Sequence, residues 1–517
     1  MITLTLRLIC AALLLSAAFF TAKGYVHMFQ LNSYRHRRYI KWLSAHPARP
    51  LVQLAPLAAG AAVLALYGET AALSVCCVLF VLAGFSEISR RAKKPLVFTK
   101  RVKRLFFTLM LLYIAAAAAL VFAPHGLLIA LAAFALSAAV MQLADVINMP
   151  PEHSISRWYI RDAKRLLAAA GDKLTVIGIT GSYGKTSVKF YLKSLLGAKF
   201  NVLATPESYN TPMGVVKTIR TSLTAMNDVF ICEMGAKNIG DIKEICDIVH
   251  PAHGIITAIG PQHLESFKTL ENVKKTKFEL ADALPDRGLL LVNGDDVNIR
   301  SGLGGRSAVT YGFGAECEFR AEIISVSENG TSFKITAKNG DEQEFSTRLI
   351  GRHSVINITG AAACAVSLGI PLAELVPNVR RLETVPHRLQ LINRGEITVI
   401  DDAYNSNPSG AHAALEALSY FDGMKILVTP GMVELGEKQD ECNREFGRFA
   451  ADVCDYVALV GRRQTESVLA GLCDVGYPKN KIFIADTLGE AVDKAYSLPA
   501  KGRKIVLLEN DLPDNFM

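Results

Sequence analysis

The chain of 517 residues has few charged side chains for its length and no cysteine pair with metal-ligand spacing. Charged residues make up 20% of it and hydrophobic residues 50%, and the mean hydropathy is +0.26. This composition excludes a disordered chain and a collagen-like one. None of the ten cysteines forms a Cys-x-x-Cys pair, so neither a disulfide framework nor a zinc site is indicated, and reduced cytosolic thiols are expected.

Carboxylates are nearly absent from the first 150 residues, which contain 15 Lys and Arg but only three Asp and Glu. The formal net charge of +8 is therefore uneven, at +12 in this part and −4 in the remainder. An excess of basic residues can indicate nucleic-acid binding. Here the basic residues lie between apolar runs, so we expect a membrane and no nucleic acid as the partner.

The basic part contains five apolar runs, each close to the roughly 20 residues that cross a bilayer as a helix. Lys23 follows the first run without a convincing cleavage site, which disfavours a secretory signal. We therefore expect a domain of about five transmembrane helices. The runs are Leu8–Ala22, Leu51–Tyr67, Ala71–Phe85, Leu105–Ala123 and Leu127–Ala144.

The distribution of Lys and Arg predicts the orientation of these helices. Two segments, 35–49 and 90–104, are strongly basic, whereas the other two connections contain no Lys or Arg. Because positive loops stay in the cytoplasm, we expect a multi-pass protein of the inner (cytoplasmic) membrane, with everything after the fifth run cytoplasmic; Arg7 is the one discordant charge. The basic loops either set topology and contact lipid headgroups, or form a site for an anionic lipid-linked substrate.

From Pro150 onward the pattern changes to short β-rich runs that alternate with amphipathic segments, which is typical of a parallel α/β fold. Residues 306–350 interrupt this alternation. They contain Asn329-Gly330 and Asn339-Gly340 between strand-like runs, which predicts a small antiparallel excursion. The stretch Leu382–His387 is a plausible linker between two such domains.

One loop carries the clearest chemistry. A buried strand, Thr175–Thr180, is predicted to run into Gly181-Ser182-Tyr183-Gly184-Lys185-Thr186-Ser187 and then into a helix to about Leu196. Glycines let backbone N–H groups surround phosphates, a helix N-terminus adds positive potential, and the Lys supplies a mobile cation. We therefore expect a nucleoside triphosphate, bound by Gly181, Ser182, Gly184, Lys185, Thr186 and Ser187, with Mg²⁺ on the Thr186 hydroxyl. The usual pattern would have Gly at 179, where this chain has Ile.

Further motifs follow this loop in an order that resembles the Mur ligase family over roughly residues 172–500, and within it most resembles the branch that adds D-alanyl-D-alanine. They are Glu233-Met-Gly-Ala236, Gly260-Pro-Gln-His263-Leu-Glu265, Lys274-Lys-Thr-Lys277, Asn293-Gly-Asp-Asp296, Gly351-Arg-His353 with Asn357, Asp401-Asp402-Ala-Tyr404-Asn405-Ser-Asn407-Pro408 and Gly431-Met-Val-Glu434-Leu-Gly436. The resemblance implies a central ATP-binding α/β domain and a Rossmann-like α/β C-terminal domain. With the membrane domain it predicts three domains, 1–149, 150–384 and 385–517.

The resemblance also implies an activity and its catalytic residues. Mur ligases activate a carboxylate with ATP, and an amine then attacks the acyl phosphate to give an amide, ADP and phosphate. Lys185 would contact the phosphates, Thr186 and Glu233 would hold one Mg²⁺, and His263 would help to hold a second. Lys277 matches a carbamylated lysine that acquires metal-binding oxygens; without the family context it would be a solvated helix-face lysine.

Other positions are implied to bind substrates. Those around the nucleotide are Asn293, Arg352, His353 and Asn357, and Arg388 and Asp402 would close over it from the C-terminal domain. Asn210 and Thr211 would meet the carboxylate substrate. Tyr404, Asn405 and Asn407 would lie near the amine, although they are almost equally well explained as turn residues before Pro408.

The chain departs from the family at its substrate-binding ends. Only about 30 residues separate the last apolar run from the phosphate loop, too few for the family's usual domain that holds uridine diphosphate. A Lys-Gly-Ser-Arg-like loop is replaced by Leu508-Glu509-Asn510-Asp511, and Asn443 stands where His is common.

We therefore expect a muramyl-peptide or related carboxylate, on a nucleotide or a membrane lipid, and D-alanyl-D-alanine or a similar amino acid or dipeptide amine. The membrane domain would present a lipid-linked substrate or merely anchor the enzyme near cell-wall synthesis proteins. The alternatives are a membrane-bound capsule-type ligase that forms a poly-γ-glutamate-like amide, and a non-catalytic scaffold derived from a ligase.

Overall fold

The computed structural model describes residues 2–32, 34–88, 95–207, 209–403 and 406–511. It divides into two compact units, a helical unit that ends at Trp158 and an α/β unit, Tyr159–Asp511. The elements of the first part of the chain are α1 (Ile2–Leu31), α2 (His36–Ala45), α3 (Ala48–Tyr67), α4 (Glu69–Ile88), α5 (Lys100–Phe122), α6 (Gly126–Ala135) and α7 (Ser137–Ala170).

Apolar side chains hold the helical unit together, with α1 packed against α4 and α5 around Leu14, Leu73 and Leu120. In the described residues, four helices (α1, α3, α4 and α5) are long and apolar enough to span a membrane. A fifth span is counted if the bent pair α6 and α7 is taken as one.

Two expectations for the end of this unit are wrong. The fifth run is not one straight helix, because α6 and α7 meet at an angle of 84°. The buried Ser137 hydroxyl donates to the Phe134 carbonyl and accepts from Tyr113 Oη at 2.8 Å, so a side chain pairs the polar groups at the break. The helical pattern also does not end at Pro150, since α7 continues through Pro150 and Pro151. Prolines weaken a helix by removing N–H donors, but a kinked helix can continue through them.

Two sheets form the α/β unit. The larger has the order β2-β3-β1-β4-β5-β6-β7-β8-β9 and is parallel as far as β7. Its strands β1 and β3 are apolar runs buried on both faces, as parallel sheets covered by helices require. Its strands are β1 (Thr175–Thr180), β2 (Val202–Ala204), β3 (Val229–Glu233), β4 (His253–Ile256), β5 (Leu290–Asn293), β6 (Val309–Gly312), β7 (Phe319–Ser327), β8 (Gly330–Ala337) and β9 (Glu342–Thr347).

The last three of these strands pair antiparallel, so the excursion predicted within 306–350 is confirmed. The helices that belong with this sheet are α8 (Lys185–Leu196), α9 (Pro212–Ser222), α10 (Asp241–Val249), α11 (Leu264–Phe267), α12 (Leu270–Asp282), α13 (Val297–Gly302), α14 (Gly351–Ser367) and α15 (Val376–Arg380).

The smaller sheet has the order β10-β11-β15-β12-β13-β14, and only β10 is antiparallel to its neighbour. In both sheets the carboxyl ends of the parallel strands lie at one edge, where α/β folds bind ligands. The elements are β10 (Gln390–Arg394), β11 (Ile397–Asp402), α16 (Pro408–Ser419), β12 (Met424–Thr429), α17 (Gln439–Val453), β13 (Tyr456–Val460), α18 (Glu466–Asp474), β14 (Ile482–Ala485), α19 (Leu488–Ser497) and β15 (Lys504–Glu509).

Candidate active site

The phosphate loop joins β1 to α8 and depends on two glycines. Gly184 has φ +82°, and a Cβ there would lie 2.6 Å from Oδ1 of Asn357. A Cβ on Gly181 would lie 2.0 Å from Oγ1 of Thr257, so neither position accepts a side chain. Ile179 is fully buried within β1, which explains why the loop begins at Gly181 without a glycine at 179.

Lys185, the first residue of α8, turns its amine back toward the loop. Its Nζ donates to the carbonyl oxygens of Gly181 at 2.7 Å and Ser182 at 3.1 Å. Burial lowers the pKa of Lys185 to about 8 against the opposing charge of Glu233, and the positive charge of Arg388 contributes to the fall.

Ser182 ties the phosphate loop to a neighbouring segment. It exchanges hydrogen bonds of 3.0 Å with the backbone of Gly260, which anchors the loop to the segment after β4. Ser187 lies in the first turn of α8, one turn before the buried Tyr191. The geometry therefore gives Ser182 a part in holding the loop in place.

Glu233, at the end of β3, is the centre of a buried polar cluster. Its Oε1 accepts from Thr186 Oγ1 at 3.1 Å and from Asn210 Nδ2 at 3.0 Å, so three residues predicted to share a site meet there. Burial alone would raise the pKa of Glu233, but Lys189 and Lys185 outweigh it and the pKa lies below its usual value. The carboxylate is therefore ionised and ready to share a cation with Thr186.

The sequence analysis did not select Lys189, yet its Nζ lies 2.9 Å from Oε2 of Glu233, and both side chains are 1% exposed. The same amine donates to the carbonyl oxygen of Glu207, in the loop that leads to Asn210. Lys189 falls on the apolar face of α8 with Val188 and Leu192. A lysine on that face was the one available signal, since a buried lysine needs a partner.

His263 forms a link between the two sheets. It follows β4 with φ +51°, and its Nδ1 hydrogen-bonds Oε2 of Glu434, which follows β12. Lys237 Nζ lies 3.6 Å from the other carboxylate oxygen. Burial lowers the pKa of His263, and Glu434 only partly opposes this. Glu434 stood in a predicted motif, but only the fold indicates its role.

Lys277 on α12 is 2% exposed, so it is not the solvated lysine that its local sequence would suggest. Lys274 on the same helix instead forms a surface pair with Glu271 at 2.8 Å. Burial, reinforced by the charge of Lys185, places the pKa of Lys277 well below its usual value. A lowered pKa favours the neutral amine, which is the form that can react with carbon dioxide, and this suits the carbamylation implied by the resemblance.

The predicted nucleotide-binding residues lie around the same edge of the larger sheet. Asn293 Oδ1 accepts from the Asp295 N–H at 3.0 Å, and the Arg352 guanidinium lies 3.7 Å from the centre of the Phe313 ring. Asn357 donates to the His353 carbonyl at 2.9 Å. Burial, together with the charge of Arg388, lowers the pKa of His353 to about 4.

Arg388 and Asp402, from the part of the chain that forms the smaller sheet, also lie at this edge. Burial raises the pKa of Asp402 to about 6 against the opposing charge of Arg388, and Asp402 Oδ1 accepts from the Leu389 N–H at 3.2 Å. Arg388 also lowers the pKa values of Lys185 and His353. The predicted cation and carboxylate therefore act on the site from the second sheet.

Of the predicted substrate contacts, Asn210 meets Glu233 as described above, whereas Thr211 and Asn407 have structural roles. Thr211 and Asn407 are helix N-caps, accepting from the N–H groups of Gly214 at 3.3 Å and Gly410 at 2.9 Å. This gives Asn407 the structural role that was its alternative interpretation. Tyr404 and Asn405 lie outside the described residues.

Two departures from the family pattern are buried, one on helix α17 and one at the end of strand β15. Asn443 bonds the backbone N–H of Met432 at 2.8 Å and its carbonyl at 3.0 Å, and so holds the segment before Glu434. Glu509 accepts from Ser406 and, at 2.8 Å, from Thr429. Burial raises the pKa of Glu509 to about 7, and Asp402 reinforces the shift.

The site combines a phosphate loop with an ionised carboxylate beside the loop's threonine. The part of the chain that forms the second α/β sheet contributes Arg388, Asp402 and Glu434. These features define an ATP-dependent ligase that works between two domains. Two family models match the chain, the Mur ligase middle domain over residues 179–365 and the Mur ligase, glutamate ligase domain over residues 387–509. The chain belongs to the Mur ligase family.

Named relatives and solved structures agree with this assignment. The chain is 32% identical over 341 residues to the UDP-N-acetylmuramoyl-tripeptide–D-alanyl-D-alanine ligase of Escherichia coli, covering 65% of this chain and 75% of that one. It is 29% identical to the Bacillus subtilis ligase of the same name, covering 63% and 72%. Two solved MurF structures also match, one from Acinetobacter baumannii and one from Thermotoga maritima in complex with ADP. Each has a TM-score of 0.61 and 25% identity and covers 69% of this chain. The matches cover 77% of the Acinetobacter baumannii chain and 80% of the Thermotoga maritima chain.

Proposed function

We propose that this ligase joins D-alanyl-D-alanine, or a similar amine, to the carboxylate of a muramyl peptide in peptidoglycan synthesis, with ATP and Mg²⁺. The names of the relatives supply the substrates. The buried cluster in which Glu233 meets Thr186, Asn210 and Lys189 carries the proposal, because it joins the phosphate loop to the loop assigned to the carboxylate substrate. The capsule-type and scaffold alternatives are not better supported.

The donor set at the end of β3 fits Mg²⁺. Thr186 and Glu233 offer a hydroxyl and a carboxylate, the hard oxygen ligands that this ion prefers. No group of three or more His, Cys, Asp or Glu side chains suited to a metal occurs in the part of the chain that the structure describes. Thr186 and Glu233 would hold the ion, which would supply positive charge to neutralise the transferred phosphoryl group.

The chain's own residues position the two steps. Lys185 and the loop N–H groups hold the nucleotide while the substrate carboxylate attacks the γ-phosphorus, which forms the acyl phosphate and releases ADP. The amine then attacks the acyl carbon, forms the amide and expels phosphate. Arg388 and Asp402 belong to the smaller sheet, so the site is complete only when both domains are together.

The proposal places the ligase at the inner membrane, multi-pass, with its catalytic domains in the cytoplasm. It is supported by the four or five apolar helices and by the positive charge of the segments that would face the cytoplasm. The family matches begin at residue 179, so the helical unit precedes them. We propose that it presents a lipid-linked muramyl peptide, and that it also brings the enzyme near cell-wall synthesis proteins.

The test of the activity uses the purified full chain in detergent with ATP, Mg²⁺, D-alanyl-D-alanine and a muramyl tripeptide. We expect release of ADP and an amide product by mass spectrometry, and loss of both in Lys185→Ala. Replacing the dipeptide by glutamate tests the capsule-type alternative, and polymer formed only with glutamate would overturn the proposal.

The carrier is tested separately, by supplying the tripeptide on a uridine diphosphate and on a lipid diphosphate at equal concentrations. We expect a higher kcat/KM for the lipid-linked form. Preference for the nucleotide-linked form would refute the lipid carrier while leaving the ligase activity established.

A further inference from the structure

A charged pair is buried at one end of the helical unit. Arg49 Nη2 lies 2.7 Å from Glu87 Oε2, with the side chains 11% and 7% exposed. Arg49 is in the first turn of α3 and Glu87 in the last turn of α4. The pair packs against Gly24 of α1, where a Cβ would lie 1.9 Å from Arg49 Nη2. A glycine is therefore required for Arg49 to enter the bundle.

Aromatic side chains enclose this arginine. Its guanidinium lies 4.9 Å from the ring centre of Tyr25 and 5.7 Å from that of Trp42. Tyr25 Oη donates to Oε1 of Gln53 at 2.8 Å, and Tyr39 packs against both Tyr25 and Trp42. These five residues form one continuous cluster, called here the Arg49 cluster.

Three donors of the Arg49 cluster have no acceptor. Among the described residues, the buried atoms Tyr39 Oη, Gln53 Nε2 and Arg49 Nε have no hydrogen-bond partner, and Tyr39 is 0% exposed. Folded proteins pair nearly all such groups, so each exception calls for an explanation. Because all three atoms can donate, the missing partner is a group rich in acceptor oxygens.

Space and charge beside the cluster indicate the same kind of partner. A cavity of about 410 Å³ is lined by Trp42, His46 and Arg49 together with three small residues. Arg35, Arg37, Arg38 and Lys41 lie just before or within α2, and residues 32–68 contain no Asp or Glu. Two carboxylates from other helices reach this region, Glu87 against Arg49 and Asp145 against His36. The basic residues outnumber them, so the surroundings favour an anion over a cation or a neutral sugar.

We propose that the Arg49 cluster and the adjoining corner between α2 and α3 bind the diphosphate of an isoprenoid lipid. The apolar helix α3, which begins at this corner, suits contact with an acyl or isoprenoid chain. The choice of a lipid over a nucleotide rests on the proposed membrane location. It gives the lipid-linked substrate a contact within the helical unit itself.

The test is a binding titration that needs neither ATP nor an amine. The chain has two tryptophans, so Trp158→Phe leaves Trp42 as the fluorescent reporter beside the cavity. The full chain in a maltoside detergent, which carries no phosphate, is titrated with farnesyl diphosphate, UDP and inorganic diphosphate. We expect saturable quenching by farnesyl diphosphate, with UDP and inorganic diphosphate at least tenfold weaker. Equal binding of UDP, or no saturation, would overturn the proposal.

The variant Tyr39→Phe tests whether the Tyr39 hydroxyl binds the ligand or is only a buried group without a hydrogen-bond partner. Loss of a hydrogen bond to a charged ligand should weaken farnesyl diphosphate binding about tenfold. Unchanged binding with a higher melting temperature would instead mark the hydroxyl as a buried group without function, and would overturn the proposal. The control is Tyr113→Phe, which removes a hydrogen bond to Ser137 and should lower the melting temperature without changing binding.

Gln53→Glu provides a second variant should Tyr39→Phe fail to fold. It keeps the acceptor for Tyr25 but replaces the unpaired donor by a negative charge, and should abolish quenching. Unaltered quenching would refute the site. Because the titration measures no catalysis, an inactive ligase leaves this result standing, and a failed titration leaves the ligase assay unaffected.

Discussion

The buried pair of Lys189 and Glu233 allows a quantitative prediction for the ligase unit. The two groups lie 2.9 Å apart, and each side chain is 1% exposed. Removing one member of such a pair typically costs about 3–5 kcal/mol, because the other charge stays buried without compensation. Thr186 and Asn210 still donate to Glu233, so we expect Lys189→Met to cost about 3 kcal/mol. This corresponds to a fall in Tm of roughly 5–10 °C.

The loss should depend on pH in a definite direction. In the native protein the pKa of Glu233 is below its usual value, so its stabilisation is present above pH 4.5 and is lost as the pH falls through the lowered pKa. Without Lys189 the largest opposing charge is lost, so the pKa of Glu233 rises above its native value although Lys185 and Asn210 still lower it. The native protein then gains stability from this ionisation at a lower pH than the variant does, so the deficit of Lys189→Met should be larger at pH 8 than at pH 5.

The assay is thermal unfolding of the full chain in detergent at pH 5, 6.5 and 8. Lys193→Met, an exposed lysine one turn further along α8, is the matched control and should melt like the native protein. Adding Glu233→Gln to Lys189→Met should restore much of the stability, because no buried charge remains unpaired. A deficit that is equal at all three pH values, or additive effects in the double variant, would refute the electrostatic reasoning.

Three further predictions concern groups with shifted pKa values. Removing carbon dioxide should lower ADP release and adding bicarbonate should restore it, whereas Lys277→Arg should be inactive under both conditions. Activity that does not depend on bicarbonate would contradict carbamylation of this buried amine. Glu509 has a pKa raised to about 7, so its ionisation costs stability as the pH rises from 4.5 through 7. Glu509→Gln should therefore gain up to about 3 kcal/mol over the native protein at pH 8 but little at pH 5, and equal unfolding midpoints at both pH values would argue against it. Glu434→Gln should lower the pKa of His263 further, because the carboxylate that raises it is lost; an NMR titration of labelled histidine that finds no fall would contradict the pairing.

The sequence predicted the parts of the site that are local. A buried strand, two glycines and Lys185-Thr186 form a phosphate loop by their order alone, and the structure places them between β1 and α8. Glu233 could be assigned to the same edge because the carboxyl ends of parallel strands lie side by side. Its hydrogen bond to Thr186 confirms that reasoning.

The parts that were missed depend on tertiary packing. Lys189 could not be selected from the sequence, because its partner Glu233 lies on a separate strand. A lysine on an apolar helix face does not reveal which carboxylate it will contact. His263 and Glu434 are 171 residues apart, so only the approach of the two sheets makes them a pair. No glycine or proline lies at the bend near Leu136, so the sequence contains no signal for it. The hydroxyl of Ser137 provides the local hydrogen bonds instead.

The departures of this chain from its family fall where substrates are recognised, whereas its phosphate machinery is retained. Lys185, Thr186, Glu233 and Lys277 all lie within residues 179–365, which the Mur ligase middle-domain model matches. In the order of the chain, the helical unit with the Arg49 cluster precedes this match. At the end of the second family match, Glu509 is buried between two hydroxyls, in the segment that stands in place of the cationic loop implied by the resemblance. A chain that had lost its activity would be free to change at the phosphate loop as well. The pattern therefore supports unchanged ATP chemistry applied to a differently presented pair of substrates.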